Sequence, residues 1–586
     1  MARHADALAL DGMPPMTAPA NPAPSGRTNA AVWFSSDGYD PAKKGINGRR
    51  VAGASFLRGF FAHGEVDEFV ALAHSRADHT AFADLARASG VTRPLRQVRL
   101  DAPQGLAPVE VVQYPAPTPP TEFWRRAPHG AAAWALCGIT HTTATRNVME
   151  TVFQMRSAPQ MPWDAVICTS VAVQASIRRL MELAEAHLAQ RYRGAVLPAR
   201  PLLPVVPLGI HCDDFRPDPA LGQALRDRIG ADPGDLVVVS IARLTPDEKF
   251  DPLPLFLAME LAAQDWRAQG GGRLHLVLCG KFSEAQWADS FAKAAARLMP
   301  SCGYHVLDGA DAAERKATLS GGDVFVFPID NLQETFGLAP IEAMAAGLPV
   351  IVSDWDGMKD TVTPDVGFRI PTELPRAGLS SYVSHRHMGG TDSYIQYLSQ
   401  VSAMTPLDVA AMARALVTLA RDPDLRARMG ARARDRARRL YDWSVVIPQM
   451  QALWGEQAAM LAHARRVGGP AISPHSADLI PVGPAVQEMF AAYPTSFSDP
   501  DRRLSATGHP DQPAPRETFT LRNYAVRGRL LEDTSRIETV LAAYASAGPR
   551  GATEAEIAAT TRLPRLMVAR VSLWLLKYNY LQEART

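Results

Sequence analysis

The chain has 586 residues and nearly balanced charge, with 61 Lys and Arg against 60 Asp and Glu. Its hydrophobic fraction of 47% permits large buried cores, and the length indicates about two to four domains. Because the charges balance, no overall field favours nucleic acid or an anionic membrane, and an anionic partner must be bound locally.

The cysteines and the N-terminal stretch indicate the compartment. The five cysteines are far apart and mostly lie within apolar runs, which is typical of small core residues in a reducing environment, not of a disulfide framework or metal site. Residues 1–27 are rich in Ala and Pro and contain Asp6 and Asp11, so we predict a disordered tail and not a signal peptide. No segment is apolar over the length that a bilayer requires. We expect a cytoplasmic protein and leave open a peripheral contact with the inner face of a membrane.

Residues 28–207 predict an N-terminal doubly wound domain, because apolar runs alternate with helical stretches. Buried strands are predicted at 30–34, 68–72, 109–113, 132–140 and 165–169. After the first strand, a loop with Gly45 and Gly48 leads into a helix, and the N-terminus of a helix is a natural place for phosphate. His141 directly follows the fourth strand, at the edge of the sheet where ligands bind.

A helix predicted over 176–194 has a basic face, formed by Arg178, Arg179, Arg191 and Arg193. Two interpretations are open: a surface that contacts lipid, or a solvated face with apolar residues packed inward.

Residues 204–218 are rich in proline and predict the hinge to a second domain, residues 208–480. Further buried strands are predicted at 236–241, 274–279 and 303–307. Arg243 and Lys249 are expected on the loop after the first of these strands, and Gly280 in a turn after the second.

The most informative stretch is 323–357, which predicts a strand, a loop, a helix and a strand. Glu334 falls before the helix and Glu342 within it. Between them, the free backbone N–H groups at the start of the helix can bind an anion, and Gly337 lets that anion approach closely. The pattern indicates a sugar, a diphosphate and a ribose bound in a row.

This stretch resembles the donor-site signature of retaining GT-B glycosyltransferases, in glycosyltransferase family 4 (glycosyl transferases group 1). Glu334 and Glu342 are separated by seven residues, as in that family. The resemblance implies two Rossmann-like doubly wound domains facing a cleft, the first binding the acceptor and the second a nucleotide diphosphate sugar. It also implies metal-independent transfer of a hexose-type sugar to a hydroxyl with retention of configuration, in polysaccharide or glycoconjugate biosynthesis.

The resemblance assigns roles to individual residues. The catalytic group comprises His141 near the donor sugar, Arg243 and Lys249 on the diphosphate, and Glu334 on the sugar. Glu342 is assigned to the ribose. The other residues implied in donor binding are Gly45, Gly48, Gly280, Phe336, Gly337 and Leu338. Two departures from the family pattern are Asn47, where the glycine-rich turn normally has adjacent glycines, and Phe250, where a glycine normally follows the lysine.

A metal and a cofactor are not expected. The sequence Asp354-Trp355-Asp356 has an Asp-x-Asp pattern, but such tripeptides recur by chance, as at 422–424 and 499–501. In the resemblance, cations and a helix end neutralise the leaving group. Asn331 is either a donor-pocket residue or the start of an Asx turn.

The C-terminal third is less regular. Residues 371–404 predict an insertion or a long loop, and the helices from 407 resemble the closing helices of the family. Residues 481–515 have the composition of a linker. Residues 516–586 predict a small helical, winged-helix-like module without room for a wing, for which DNA is not the favoured partner and packing or dimerisation is the alternative.

Two other functions remain open from the sequence. One is a GT-B phosphorylase or epimerase, in which phosphate or water replaces the acceptor. The other is a non-catalytic sugar-nucleotide sensor that binds DNA or protein through its C-terminal module. The acceptor (a sugar, a lipid-linked or a small molecule) is not identified, and homo-oligomerisation is left open.

Overall fold

The computed structural model describes residues 28–40, 48–107, 109–468, 479–524 and 533–584. The predicted tail at 1–27 and the candidate residue Gly45 lie outside the described residues. The chain divides into two compact units, Met1–Val482 and Gly483–Thr586.

The first unit contains two parallel sheets, each with six strands in the described residues. The first sheet has the order β3-β2-β1-β4-β5-β6, with β1 Ala31–Phe34, β2 Phe69–Ala73, β3 Leu95–Arg99, β4 Val111–Gln113, β5 Ala135–Ile139 and β6 Ala165–Ile167. Most of these strands are buried on both faces, because helices cover the sheet on each side. The first-domain helices are α1 Ser36–Tyr39, α2 Gly48–His63, α3 Arg76–Ala88, α4 Pro120–Arg126, α5 Arg146–Met155 and α6 Val171–Arg191.

Helix α6 illustrates how a capping residue and an apolar face determine where a helix begins and which side is buried. The Ser170 side chain caps its N-terminus by accepting a hydrogen bond from the backbone N–H of Val173. Val173, Ile177 and Met181 are buried on one face, and Arg178 and Arg179 are exposed. The side chain of Arg179 forms an ion pair with Glu182 at 3.2 Å. The helix is thus amphipathic and packs its apolar face inward, and whether its basic face meets lipid stays a prediction.

The second sheet has the order β12-β11-β10-β7-β8-β9. Its strands are β7 Leu236–Leu244, β8 Leu274–Phe282, β9 Gly303–Asp308, β10 Val324–Phe327, β11 Val350–Ser353 and β12 Gly367–Ile370. The helices of this part are α7 Pro219–Ile229, α8 Pro252–Ala268, α9 Ala285–Leu298, α10 Ala312–Gly321, α11 Leu338–Ala346, α12 Met358–Thr361, α13 Ala377–Met388, α14 Tyr394–Ser402, α15 Val409–Arg421, α16 Pro423–Tyr441 and α17 Trp443–Val467. β7 and β10 are neighbours at the centre of the sheet, and the strands that follow each of them in sequence lie on opposite sides. Ligands of such sheets bind beyond the carboxyl ends of the strands at this switch point.

These two doubly wound sheets confirm the predicted GT-B architecture. The apolar runs that predicted it are the strands themselves, with bounds shifted by a few residues. None of the described helices combines the length and the apolar character that a membrane crossing requires.

Helix α17 does not follow the predicted division at 207/208. Trp443, Val446 and Leu461 on this helix pack into the core of the first domain. A Cβ on Gly209 in the hinge would lie 2.4 Å from the Trp443 ring, so only glycine fits there. The chain therefore crosses back to the first sheet after completing the second one.

The prediction of a long loop at 371–404 was wrong, since α13 and α14 fill most of it. The side chain of Val383 is the buried residue of α13, which explains why its apolar periodicity is weak. A capping box of Ser393 and Gln396 begins α14, and this pattern was a signal available in the sequence.

The second unit contains α18 Val486–Met489, β13 Leu504–Ala506, α19 Pro515–Leu521, α20 Thr534–Ala547, α21 Glu554–Thr561, α22 Arg565–Lys577 and β14 Leu581–Glu583. The strand β14 pairs antiparallel with β13, and Ala552 bridges to Leu504. The module is thus helical, as predicted. However, it recruits a strand from the segment that was predicted to be a linker, because that segment supplies the only described partner for β14.

Candidate functional site

The site begins at the carboxyl end of β10, where residues 328–337 lead into α11. Gly337 precedes the first residue of α11 and has φ 83°, a left-handed conformation that favours glycine. A Cβ at this position would lie 3.2 Å from Cγ of Met358. Backbone conformation and close packing both therefore require glycine at the point where the helix begins.

Glu334 takes up the donors that the sequence predicted to be free. Its Oε1 accepts a hydrogen bond from the backbone N–H of Gly337 at 3.0 Å, with longer contacts to Thr335 and Phe336. Its Oε2 accepts from the ammonium of Lys249 at 2.5 Å. The prediction of free N–H groups was thus wrong for Phe336 and Gly337, because a carboxylate three residues before the cap can fold back onto the helix end.

The pKa values of Glu334 and Glu342 are shifted in opposite directions. Burial raises the pKa of Glu334, but the ammonium of Lys249 and the N–H donors outweigh it and hold this pKa below its usual value. Burial raises the pKa of Glu342 to about 7, although Arg315 and Lys249 oppose the increase. Glu334 is therefore ionised at neutral pH, whereas Glu342 is close to its titration point.

The two predicted cations, Arg243 and Lys249, lie close together in the sequence but have different partners. Arg243 is the penultimate residue of β7 and not a loop residue as predicted, because pairing with β8 continues through Leu244. Its guanidinium forms an ion pair at 2.5 Å with Glu248, which sequence reasoning missed. Lys249 does lie on the loop after β7, and its ammonium is 4.8 Å from the centre of the Phe327 ring. Arg243 thus lies in the last part of β7 and Lys249 beyond its carboxyl end, and each cation is paired with a carboxylate.

Residues 245–251 form the loop that carries Lys249, and we call it the phosphate-clamp loop after the role that the family resemblance implies for Lys249. This loop is bonded to the loop before α11. The Asn331 amide donates to the Asp247 carbonyl at 2.8 Å, and its Oδ1 accepts from the Gln333 N–H at 3.0 Å. The Gln333 side chain donates to the Glu248 carbonyl at 3.3 Å. Asn331 therefore starts the Asx-type turn and also joins the two loops. An Asx turn does not exclude a place in the donor pocket, so the two interpretations of this residue are compatible.

His141 lies two residues beyond the end of β5, at the carboxyl edge of the first sheet. Its carbonyl accepts a hydrogen bond from the hydroxyl of Thr335 at 2.7 Å. His141 also lines a small cavity of about 20 Å³ together with Tyr39 and Trp443. The backbone of His141 thus contacts the residue next to Glu334, and a role for its imidazole in the reaction stays a prediction.

A second contact between the domains involves the Asp-x-Asp tripeptide. The hydroxyl of Ser170 donates to Asp356 Oδ1 at 3.0 Å, and the backbone N–H of Val171 donates to Asp360 at 2.7 Å. Burial raises the pKa of Asp356 to about 8, and the nearby carboxylates of Glu334 and Asp360 add to the increase. These acids bind the start of α6, a long-range contact that no pattern in the sequence indicates. Among the described residues no cluster of three or more His, Cys, Asp or Glu side chains could hold a metal ion.

A cleft of about 370 Å³ separates the two sheets next to the hinge. Leu338 and Glu342 line it from α11, and Arg58 and Phe61 line it from α2. The structure therefore places Leu338 and Glu342 on the wall of a cleft between the domains, facing the first domain.

The remaining candidates have local structural roles. Phe336 is buried and packs against Tyr441 with ring centres 6.0 Å apart, so only its backbone is available to a ligand. Gly280 lies inside β8 and not in a turn, and a Cβ there would be 2.0 Å from the Ala242 carbonyl oxygen. Gly48 is the first residue of α2. Whether Gly48 and Gly280 contact a donor stays a prediction.

Part of the second domain is similar to a known family. Residues 223–377 match the family model described as Glycosyl transferases group 1, and this segment contains Arg243, Lys249, Glu334 and Glu342. This segment is therefore similar to glycosyl transferases group 1.

Individual relatives match over parts of their length. The phosphatidyl-myo-inositol mannosyltransferase of Mycobacterium leprae is 33% identical over 146 residues, which are 25% of this chain and 29% of that protein. The D-inositol 3-phosphate glycosyltransferase of Kineococcus radiotolerans is 28% identical over 244 residues, 40% of this chain and 47% of that protein. The chain thus spans less than half the length of these two relatives. Among solved structures, Anabaena Alr3699/HepE in complex with UDP and glucose has a TM-score of 0.46 and 16% identity, covering 74% of this chain and 100% of that chain.

Proposed function

We propose that this protein is a glycosyltransferase that moves a hexose-type sugar from a nucleotide diphosphate sugar to an acceptor hydroxyl, with retention of configuration and without a metal ion. The observation that carries the proposal is the meeting of Lys249, Glu334 and the N–H of Gly337 at the switch point of the second sheet. The curated relatives quoted above are named as a mannosyltransferase and a glycosyltransferase, which supports the same class of reaction.

The geometry suits a departing diphosphate. Breaking the bond between the sugar and the diphosphate builds negative charge on the phosphate oxygens. Lys249 and the start of α11 present a cation and aligned N–H dipoles in a half-buried place, where preorganised charges stabilise a transition state strongly. Arg243 supplies a second cation from β7. These groups act on the leaving group, and no side-chain nucleophile is needed.

Donor binding requires Glu334 to move. A diphosphate oxygen that accepts hydrogen bonds from Lys249 and Gly337 competes with the carboxylate of Glu334 for the same donors. Once displaced, the carboxylate is free to accept hydrogen bonds from the sugar hydroxyls, which is the role that the family resemblance implies. The diphosphate likewise competes with Glu248 for Arg243.

Retention of configuration follows if the acceptor attacks from the face that the diphosphate leaves. A phosphate oxygen can then take the proton of the acceptor hydroxyl as the new bond forms. His141, near Thr335, would line the sugar side of the pocket. Glu342, on the cleft wall, would bind the ribose hydroxyls.

The proposal is tested by measuring release of nucleoside diphosphate from a panel of nucleotide sugars, with and without candidate acceptors and with orthophosphate. Wild-type protein should release the diphosphate in an acceptor-dependent reaction, and Lys249→Ala should lower turnover by at least about a hundredfold. Lys293→Ala, which removes an exposed lysine of α9, is the matched control and should keep full activity. Near-normal turnover by Lys249→Ala, or release driven by orthophosphate alone, would refute the proposal.

A further inference from the structure

The helix pair α13–α14 begins where the family match ends, at residue 377. The guanidinium of Arg386 on α13 binds both oxygens of Asp392, just before α14, at 2.8 and 2.6 Å. His387 also stacks on the Tyr397 ring with centres 4.8 Å apart. The helix pair thus lies outside the matched segment and has polar and aromatic contacts between its two helices.

A hydrogen bond joins the helix pair to the phosphate-clamp loop. The hydroxyl of Ser399 on α14 donates to Asp247 Oδ1 at 2.8 Å, and 152 residues separate the two in sequence. The backbone carbonyl of the same Asp247 accepts from Asn331. Asp247 is thus bound from α14 on one side and from the loop before α11 on the other, two residues before Lys249.

The loop is incompletely packed on the side that faces α14. A cavity of about 270 Å³ lies there, lined by Pro246 and Asp251 from the loop region and by Ser402 and Ala403 from α14. Where side chains leave such a space, the loop position depends on the hydrogen bonds that cross it.

The start of α14 also lies close to the clamp cations. The electrostatic neighbours of the Tyr394 phenol include Glu248 and Arg243, together with Thr142 of the first domain. Burial raises the pKa of Tyr394, and Glu248 adds to the increase. One helix thus reaches both cation-bearing segments and the edge of the first sheet.

We propose that α13–α14 positions the phosphate-clamp loop, and that Ser399 is a positioning residue that acts through Asp247 on Lys249. This proposal rests on the proposed function, because the loop is assigned to the donor diphosphate. Without the Ser399 hydroxyl, the loop samples more positions, and the ammonium of Lys249 spends less time at the place where a diphosphate needs it. Affinity for the diphosphate then falls, although the fold is intact.

The test uses full-length wild type and the variants Ser399→Ala, Ser399→Thr and Ser384→Ala. Ser384→Ala is the matched control, since this exposed α13 hydroxyl bonds only to the Ser380 carbonyl of its own helix among the described contacts. Calorimetry with UDP, GDP, ADP and inorganic pyrophosphate gives the dissociation constants, and steady-state assays with the donor that the wild type uses give KM and kcat separately. Thermal unfolding reports whether each variant is folded.

We expect Ser399→Ala to weaken binding of the nucleoside diphosphate by about 3- to 10-fold, the range that a net hydrogen bond provides, and to raise KM for the donor more than it lowers kcat. Ser399→Thr should restore binding, and Ser384→Ala should match the wild type. In a double variant, Asp247→Ala should add little to Ser399→Ala because both remove the same contact.

The two proposals fail in distinguishable ways. If the wild type binds a nucleoside diphosphate and folded Ser399→Ala binds it equally well, the positioning role is refuted and the proposed function stands. A wild type that binds none of the four probes refutes both.

Discussion

The ammonium of Lys249 and the carboxylate of Glu334 form an ion pair at 2.5 Å across 85 positions of sequence, with exposed side-chain fractions of only 21% and 15%. Partial burial makes this pair stronger than a surface salt bridge and ties β7 to α11. The same pair occupies the donors that a diphosphate needs. It is therefore both a support of the fold and a competitor of the proposed substrate.

The competition predicts that Glu334→Gln binds nucleoside diphosphates more tightly than the wild type. Neutralising the carboxylate leaves the charge of Lys249 for the phosphate, and hydrogen bonds to charged groups are worth enough to expect about a tenfold gain. Turnover should nevertheless fall at least about tenfold, because the proposed contact with the sugar hydroxyls is weakened. Calorimetry with UDP and GDP, paired with a turnover assay, measures both effects. Binding that is unchanged or weaker in the variant contradicts the competition.

Gly337→Ala should destabilise the second domain and impair donor binding. An alanine at φ 83° costs about 1–2 kcal/mol, and its Cβ would crowd Met358 as well. Gly378→Ala on α13 is the matched control, since it has open space and an ordinary backbone conformation, and we expect it to be neutral or slightly stabilising. Chemical unfolding of the three proteins decides the matter. Equal stability of the two variants would show that the left-handed turn at Gly337 is not required.

Three buried carboxyl groups should contribute a part of the stability that is lost as the pH rises from about 4 to 8. The pKa of Asp356 is raised to about 8, and those of Asp330 and Glu342 to about 7, chiefly by burial. A carboxyl whose pKa is raised on folding holds a proton that the unfolded chain releases, so its favourable contribution is complete below the unfolded pKa and is lost as pH rises through the folded value.

Asp356→Asn isolates one of these groups. The asparagine cannot titrate, so the decrease in melting temperature between pH 5 and pH 8 should be smaller in the variant than in the wild type. Asp365→Asn is a useful control, because the pKa of Asp365 is lowered and its removal should not reduce this decrease. An unchanged pH dependence in Asp356→Asn would mean that its carboxyl is not protonated in the folded state.

Local pattern predicted the fold well. The apolar runs around Val238, Phe325 and Ile351 identified the central strands, because parallel strands covered on both sides need unbroken hydrophobic sequence. Gly337 was predicted at a helix start so that an anion could approach closely, and the structure adds a left-handed φ as a separate reason for glycine there. Such features depend on a residue and its immediate neighbours, which the sequence displays directly.

The errors concern polar contacts between distant segments. The pairing of Glu334 with Lys249, of Ser399 with Asp247 and of Ser170 with Asp356 depends on how loops from different strands meet. No periodicity marks such partners, since each is a single polar residue on a loop or a helix end. The helix pair α13–α14 was missed for a related reason, because its few buried residues leave little apolar pattern.

The central claim is that a donor diphosphate binds at Lys249 and the start of α11. A crystal structure of the full-length protein with the nucleoside diphosphate it binds most tightly tests this most directly. We predict phosphate oxygens within hydrogen-bonding distance of Lys249 Nζ and the backbone N–H of Gly337, with the Glu334 carboxylate turned away from both. A diphosphate bound elsewhere, with the Lys249–Glu334 ion pair intact, would contradict the account.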